Sequence, residues 1–309
     1  MIKIKASLVK ALRENTGAGM MDCKKALEEN GGDMSASVDW LRAQGLSAAA
    51  KKSARVTSEG LVGLAINTTK GALVEVNTET DFVARNEDFQ VFVKALTNIS
   101  LEGKGSVDDL NSALYINSKN TVGETITNMI ATIGENIHLR RVSVLESENG
   151  VVSSYMHNAL QPGLGKIGVL LALDSLGDQK QLETLGKKLA MHIAATNPHA
   201  LSRETIDSSE LEREKNVLTE QARESGKPDE IIEKMVEGRL RKYYEEVCLL
   251  EQTFVIDGET RISEVINEAS VRIGTPIKIS GFVRFALGEG SEKKEEAFAE
   301  EVAAAAAGI

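Results

Sequence analysis

Two stretches of this chain repeat one another without a gap. Moving the later one back by 140 positions sets Glu264 on Glu124, Ile266 on Ile126, Ile273-Gly274 on Ile133-Gly134 and Ile277 on Ile137. A repeat of this kind is one supersecondary unit used twice, so the fold has to accommodate two similar halves. The order of segments agrees. LVGLAIN, a Thr-Thr-Lys-Gly turn and ALVEVN read as a hairpin of strands. A helix from about Asn86 to Ile99 follows, then a second from Val122 to Ile133, Gly134, and the strand IHLRRVSVLE. Later, VVSSYMHN and IGVLLAL read as another hairpin, LETLGKKLAMHIAAT as its helix, and RISEVINEASVRIG leads into IKISGFVRFAL. Two such units packed together predict an α+β protein with one antiparallel core.

Other pieces flank or interrupt the repeat. Residues 1 to about 45 hold three short amphipathic segments, and a bundle this small buries little surface. Ser7 can cap LVKALREN, which TGAG ends; MMDCKKALEEN stops at Gly31-Gly32; Asp33 or Ser35 starts a third segment ending near Gly45. AAAKKSARVTSEG then reads as a linker. The second copy carries an insertion at about 203–248, two charged helices joined around Gly226-Lys227-Pro228. Leu211 and Leu218 repeat at seven, Ile232, Met235 and Val236 share a face, and Tyr243 follows Val236 at seven. That pattern predicts an antiparallel helical hairpin projecting from the core, with two ordinary packed surface helices as the alternative. The tail EKKEEAFAEEVAAAAAGI is rich in helix formers, with Phe298 and Val302 as its large apolar anchors, and reads as a helix once docked. The expected divisions are 1–55, 56–146, 147–285 with the insertion, and 286–309.

Composition narrows the chemistry. A formal charge of −10 argues against a broad nucleic-acid footprint. The local basic group Lys51, Lys52 and Arg55 reads as a solvated linker, with RNA contact as its alternative. The longest apolar runs fall short of a bilayer span, and the first residues lack a signal-peptide core, so a cytoplasmic protein is expected. Cys23 and Cys248 have no paired spacing for a disulfide framework or metal site. GLGKIG, residues 163 to 168, matches G-x-G-x-x-G but precedes a strand instead of opening a helix, and reads as a loop. The four histidines show no ligand spacing, with His157 expected to be the exposed one, and no carboxylate pair is marked for acid–base work. A binding function therefore leads over an enzyme, with no cofactor, no metal and no direct nucleotide binding expected.

TETDFVARNEDF, residues 78 to 89, stands out, because aromatics make up only 4% of the chain. Thr80 or Asp81 can accept a hydrogen bond from the first turn of a helix. Phe82 is then either a core residue behind that cap or a projection, and the residues alone favour cap and core.

LRENTGAGMMDCKKAL, residues 12 to 27, and EVNTETDFVAR, residues 75 to 85, resemble the two signatures of bacterial elongation factor Ts, the nucleotide-exchange factor of the GTPase elongation factor Tu. IGENI at 133–137, SYMH at 154–157, GKP followed by EKMVEGR, and GFVRF at 281–285 extend the resemblance over nearly the whole chain. Thr78 stands where that family often has Cys or Ser, and the loop Asn158 to Lys166 is longer than in some members. The resemblance implies a ubiquitin-associated-type three-helix N-terminal domain, a duplicated α+β core with antiparallel sheet, an inserted coiled-coil hairpin and a C-terminal helical module. It implies that Asp81 and Phe82, with Thr80 and Val83 beside them, enter the GTPase near its magnesium. Ile133, Gly134 and His157 would contact the same partner. One of Met20 and Met21 would pack inward and the other face the partner, with Lys10, Arg13 and Lys24 as a polar rim. The implied partner is elongation factor Tu, with no DNA or membrane, and a homodimer or two-to-two complex is left open. The rival readings are an adaptor that only holds partners through the bundle and hairpin, and a nucleotide-dependent enzyme built on GLGKIG.

Overall fold

The computed structural model describes residues 4–290 apart from positions 17, 104 and 225. The chain begins with three helices, α1 (Ala6–Thr16), α2 (Met20–Glu29) and α3 (Met34–Lys52). Asp33 caps α3 by accepting the Ala36 N–H at 2.8 Å. Ser7 lies inside the first turn of α1 instead of capping it. Val9, Leu12, Cys23, Ala26 and Leu27 form the small core of this bundle.

The first half of the repeat follows as β1 (Glu59–Ile66), β2 (Lys70–Thr78), α4 (Asp81–Ala84), α5 (Glu87–Leu101), α6 (Val107–Ser112), α7 (Val122–Ile133) and β3 (Ile137–Glu146). The second comprises β4 (Gly150–His157), β5 (Leu164–Gly165), β6 (Ile167–Asp174), α8 (Gln179–Thr196), α9 (Ser208–Arg223), α10 (Asp229–Val247), α11 (Ile262–Ile273) and β7 (Lys278–Ala286). The strands make two antiparallel sheets, ordered β3-β2-β1-β5 and β4-β6-β7.

Instead of one core, three apolar layers run through these halves. α5 and α7 cover the outer face of the first sheet, where Leu61, Val74 and Val76 meet Phe89, Phe92 and Ile126. α8 and α11 cover the outer face of the second, where Val169, Leu171 and Leu173 meet Leu189 and Ile266. Between the sheets, Val62 and Leu73 pack on Val152, Leu170 and Ala172. Alternate residues of β6 thus point into different layers, which explains why IGVLLAL is apolar without a break. The sheets approach closely at Gly168, where an added Cβ would lie 2.7 Å from Leu73 Cδ2.

The halves share a topology. β2 and β6 each run centrally between a hairpin partner and a third strand reached through a twelve-residue helix, α7 or α11. Each of those helices ends on a left-handed glycine, Gly134 (φ 90°) or Gly274 (φ 81°). Each central strand also meets a β-bulge, between Glu75 and Val76 and between Ala172 and Leu173.

Two expectations change here. α3 does not stop at Gly45; it continues to Lys52, so the first five residues of the presumed linker are helix. Gly45 is buried because it faces α7, where an added Cβ would sit 3.6 Å from the Ala131 Cβ. The position is a helix–helix contact, and Ala48, Ala49 and Ala50 carry the helix on. Lys52 reaches the Ile130 carbonyl at 3.4 Å instead of standing free in solvent. α9 and α10 pack on each other through Leu218, Ala222, Ile232, Met235, Val236 and Leu240, with Pro228 just before the first residue of α10. The apolar tail anchors, Phe298 and Val302, lie outside the described residues. Among the described residues no helix is long and apolar enough to cross a membrane.

Candidate functional site

α4 is a single turn of four residues, and it answers the question posed by TETDFVARNEDF. Successive helical residues rotate by about 100°, so one turn presents different faces in quick order. Val83 and Ala84 are buried, whereas Phe82 is 75% exposed. Asp81 opens the helix and holds Arg85 at 2.9 Å on the surface. Thr80 occupies the cap position with extended backbone, but its side chain makes no capping bond. The pair is therefore neither cap nor core: it projects.

The turn is braced from outside. Glu135 accepts the Thr80 N–H at 2.9 Å and the Thr80 hydroxyl at 2.6 Å. One residue back, Glu79 accepts the Asn136 N–H at 2.6 Å and faces Arg55 at 3.3 Å. Asn136 in turn donates to the Arg55 carbonyl at 3.0 Å. The left-handed Gly134 turns the chain so that Glu135 leaves α7 toward Thr80; it is exposed, and nothing lies within 4 Å of an added Cβ. Ile133, half-buried, packs against the first-half core. The structure thus brings residues 80–83 and 133–134 together.

His157 ends β4, exposed, with the Tyr155 hydroxyl 3.3 Å from its Nδ1. Its following loop is tied to the α4 segment by Gln90, which donates to the Ala84 carbonyl at 3.0 Å and bonds Gln161. Lys94 also donates to Gln161, at 2.9 Å. Leu164 and Gly165 of GLGKIG form β5, paired with Gly63 and Val62 of β1, and Ile167 and Gly168 begin β6, so the string is strand and not a phosphate-binding turn.

The remaining candidates sit on the bundle. Lys10 and Lys24 pair along their own helices with Glu14 and Glu28, at 3.8 and 3.7 Å, and Arg13 is exposed in the last turn of α1. Met20 and Met21 are 58% and 73% exposed, so neither packs inward. Cys23, Ala26 and Leu27 already occupy the inward face of α2, and the two methionines precede it at the helix start. The bundle rests on α7 through α3, with Arg42 paired to Glu124. Sequence reasoning missed Glu79, Gln90 and Glu135. Glu135 does carry a local signal, a lone carboxylate directly after a helix-stopping glycine. Among the described residues no group of three or more His, Cys, Asp or Glu is placed to hold a metal ion.

An α+β protein that displays an exposed aromatic on a braced helical turn is the class this fold and surface define. Comparison with known proteins makes the assignment specific. The model of the family described as elongation factor TS matches residues 79–289. Elongation factor Ts of Rhodospirillum centenum is 59% identical over 306 residues, 99% of this chain and 100% of the relative. The elongation factor Ts of Rhodospirillum rubrum is 59% identical over 305 residues, 98% and 99% of the two chains, and that of Gluconobacter oxydans 56% over 306, 99% of each. The chain belongs to the elongation factor Ts family. Its work is in the elongation stage of protein synthesis.

Proposed function

We propose that the chain binds elongation factor Tu and promotes exchange of its GDP for GTP by disturbing the magnesium and phosphate site. The observation that carries this is Phe82, 75% exposed on a turn braced by Glu135. A buried aromatic removes about 150–250 Å² from water, so a rigid exposed one is a strong wedge. Mg²⁺ keeps much of its coordination as water, and a carboxylate such as Asp81 can engage the groups that order those waters. The Asp81–Arg85 pair is exposed and easily exchanged, since surface pairs contribute roughly 0–1 kcal/mol. Thr80 and Val83 fix the turn. Ile133, Gly134 and His157 add contacts beside it, and Met20, Met21, Lys10, Arg13 and Lys24 form a second contact on the bundle.

The mechanism is a coupling free energy. A factor that binds the empty GTPase better than the nucleotide-bound form lowers nucleotide affinity by the same ratio. A ratio of about a thousand corresponds to roughly 4 kcal/mol. No bond is made or broken, so the activity is exchange and not enzymatic chemistry, and its setting is the cytoplasm. We read residues 1–55 as a ubiquitin-associated-type domain and residues 56–146 and 147–285 as a duplicated core. α9 and α10 are the coiled-coil insertion, and residues 286–309 a C-terminal module. The shared topology and the 140-residue spacing support the duplication.

Release of a fluorescent GDP from elongation factor Tu, chased with unlabelled nucleotide, tests the reading. The native chain should accelerate release, and Asp81→Ala/Phe82→Ala should lose most of that acceleration while still binding. Tight binding without acceleration by the native chain would sink exchange in favour of an adaptor. Equal acceleration by both would move the mechanism to Ile133, Gly134 and His157.

A further inference from the structure

We infer that Glu135 is a positioning residue, whose carboxylate fixes the backbone of Thr80 and thereby sets where Phe82 projects. This rests on the exchange function proposed above.

A lone helical turn has little stability of its own, because nucleation fixes several dihedrals for few hydrogen bonds. α4 is such a turn, and its cap residue does not cap it. The Thr80 hydroxyl points instead to Glu135 Oε1 at 2.6 Å, while the Thr80 N–H points to Oε2 at 2.9 Å. Both carboxylate oxygens are spent on one residue, which fixes it in two directions. Bonds to an ionised acceptor are shorter and about twice as strong as neutral ones. Thr78 adds a third restraint, donating its hydroxyl to the Thr80 carbonyl at 2.9 Å.

The brace is reciprocal. Glu79, next to Thr80, accepts the N–H of Asn136, next to Glu135, at 2.6 Å. Two neighbouring residues on each loop therefore cross over, and neither loop can slide without breaking a charge-assisted bond. At its other end, α4 is held by the Gln90 amide on the Ala84 carbonyl. Both ends of the turn are thus secured by side chains from outside it, and its exposed middle carries Phe82.

The second half of the molecule supplies an internal comparison. The 140-residue spacing that places Gly274 on Gly134 places Thr275 on Glu135. Thr275 meets the Ser175 hydroxyl at 2.9 Å, a neutral contact between the corresponding loops. There Leu176, 85% exposed, follows Ser175 directly, and Asp178 then caps the long helix α8 with no separate one-turn helix before it. The double carboxylate brace occurs where the exposed residue sits on a separate one-turn helix, and a neutral pair suffices where the loop enters a long helix directly.

Glu135→Gln and Thr80→Val test this, each measured three ways. Glu135→Gln keeps one acceptor oxygen for two donors; Thr80→Val keeps the N–H bond and loses the hydroxyl. Amide hydrogen exchange at Thr80 is followed in the free chain, thermal unfolding gives the folded fraction, and GDP release from elongation factor Tu is titrated to saturation. For Glu135→Gln we expect Thr80 exchange to rise about tenfold, and release at saturation to fall about tenfold with the half-saturating concentration changed less than about threefold. Thr80→Val should fall between it and the native chain. Unchanged Thr80 exchange in Glu135→Gln overturns the brace. Loosened Thr80 with full release at saturation overturns positioning, provided Phe82→Ala measured alongside is slow. If Phe82→Ala also releases GDP at the native rate while Thr80 is still loosened by Glu135→Gln, the brace stands and the exchange reading fails.

Discussion

Arg141 donates from Nε to Oε2 of Glu75 at 2.6 Å, and that carboxylate has no exposed surface. The bulge in β3 makes a second contact available. Arg141 pairs with Glu75 and Leu139 with Val76, so Arg140 is the extra residue and also reaches Glu75, at 2.9 Å. The Gly288 N–H and the Asn77 side-chain amide complete the shell at 2.9 and 3.1 Å. Arg141 further donates to the Ala286 carbonyl and lies 4.4 Å from the Phe285 ring centre. One carboxylate thus joins the first sheet to the end of the second. Removing one partner of a buried ion pair costs about 3–5 kcal/mol, and Glu75→Ala should lose about that much in urea unfolding. Glu75→Gln should lose less.

Phe82 and Val83 are adjacent and should separate function from stability. Surface substitutions usually stay within about 0.5 kcal/mol, so Phe82→Ala should unfold like the native chain yet accelerate GDP release poorly. Val83 is buried, and its truncation to Ala should cost about 1–3 kcal/mol. Release per folded molecule should then fall as well, because Val83 anchors the turn, but by less than in Phe82→Ala. Thermal unfolding and nucleotide release on the same samples check both.

His192 should make the fold acid-sensitive. Burial lowers its pKa from the usual 6.5, with the Gln252 hydrogen bond opposing in part. Its Nδ1 accepts the Val255 N–H at 3.3 Å, so Nε2 carries the proton and donates to Gln252 Oε1 at 2.9 Å. The unfolded chain therefore takes up a proton at higher pH than the folded one. The contribution is complete above the unfolded pKa and is lost as pH falls from there through the depressed folded value. Unfolding free energies between about pH 7 and 5 should show this slope, and His192→Gln should flatten it.

Cys248 should resist modification in the native chain. It is buried, and burial pushes its thiol up to about 11. At pH 8 that leaves roughly one thiolate in a thousand. Labelling with an aromatic disulfide reagent should be slow until denaturant is added, and no Cys248-linked dimer should appear on non-reducing gels. Rapid native labelling would contradict the burial.

Local signals account for what the sequence made legible. α7 and β3 run over Val122–Ile133 and Ile137–Glu146 as the residues predict, because Thr121 and Glu124 form a capping box and Gly134 stops the helix. Non-local packing accounts for the rest. Gly45 reads as a stop but is a contact between helices, and Met20 and Met21 depend on what surrounds α2. Phe82 reads as core from its own neighbourhood, since nothing there reveals Glu135. Glu75 is a lone charge in an apolar strand, and its partners lie 65 and 66 residues away on a bulge that no local pattern announces.

α7 is twelve residues long, about 18 Å at the rise of an α-helix. Its first turn is pinned to the bundle through Glu124 and Arg42, and Glu135, two residues past its end, is pinned to Thr80. It therefore works as a gauge block. The spacing between the methionines of the bundle and the aromatic tip is set when the chain folds, before any partner arrives. A partner touching both points meets a fixed calliper, so little ordering entropy remains to be lost by this chain. The distortion needed to fit falls on the other molecule.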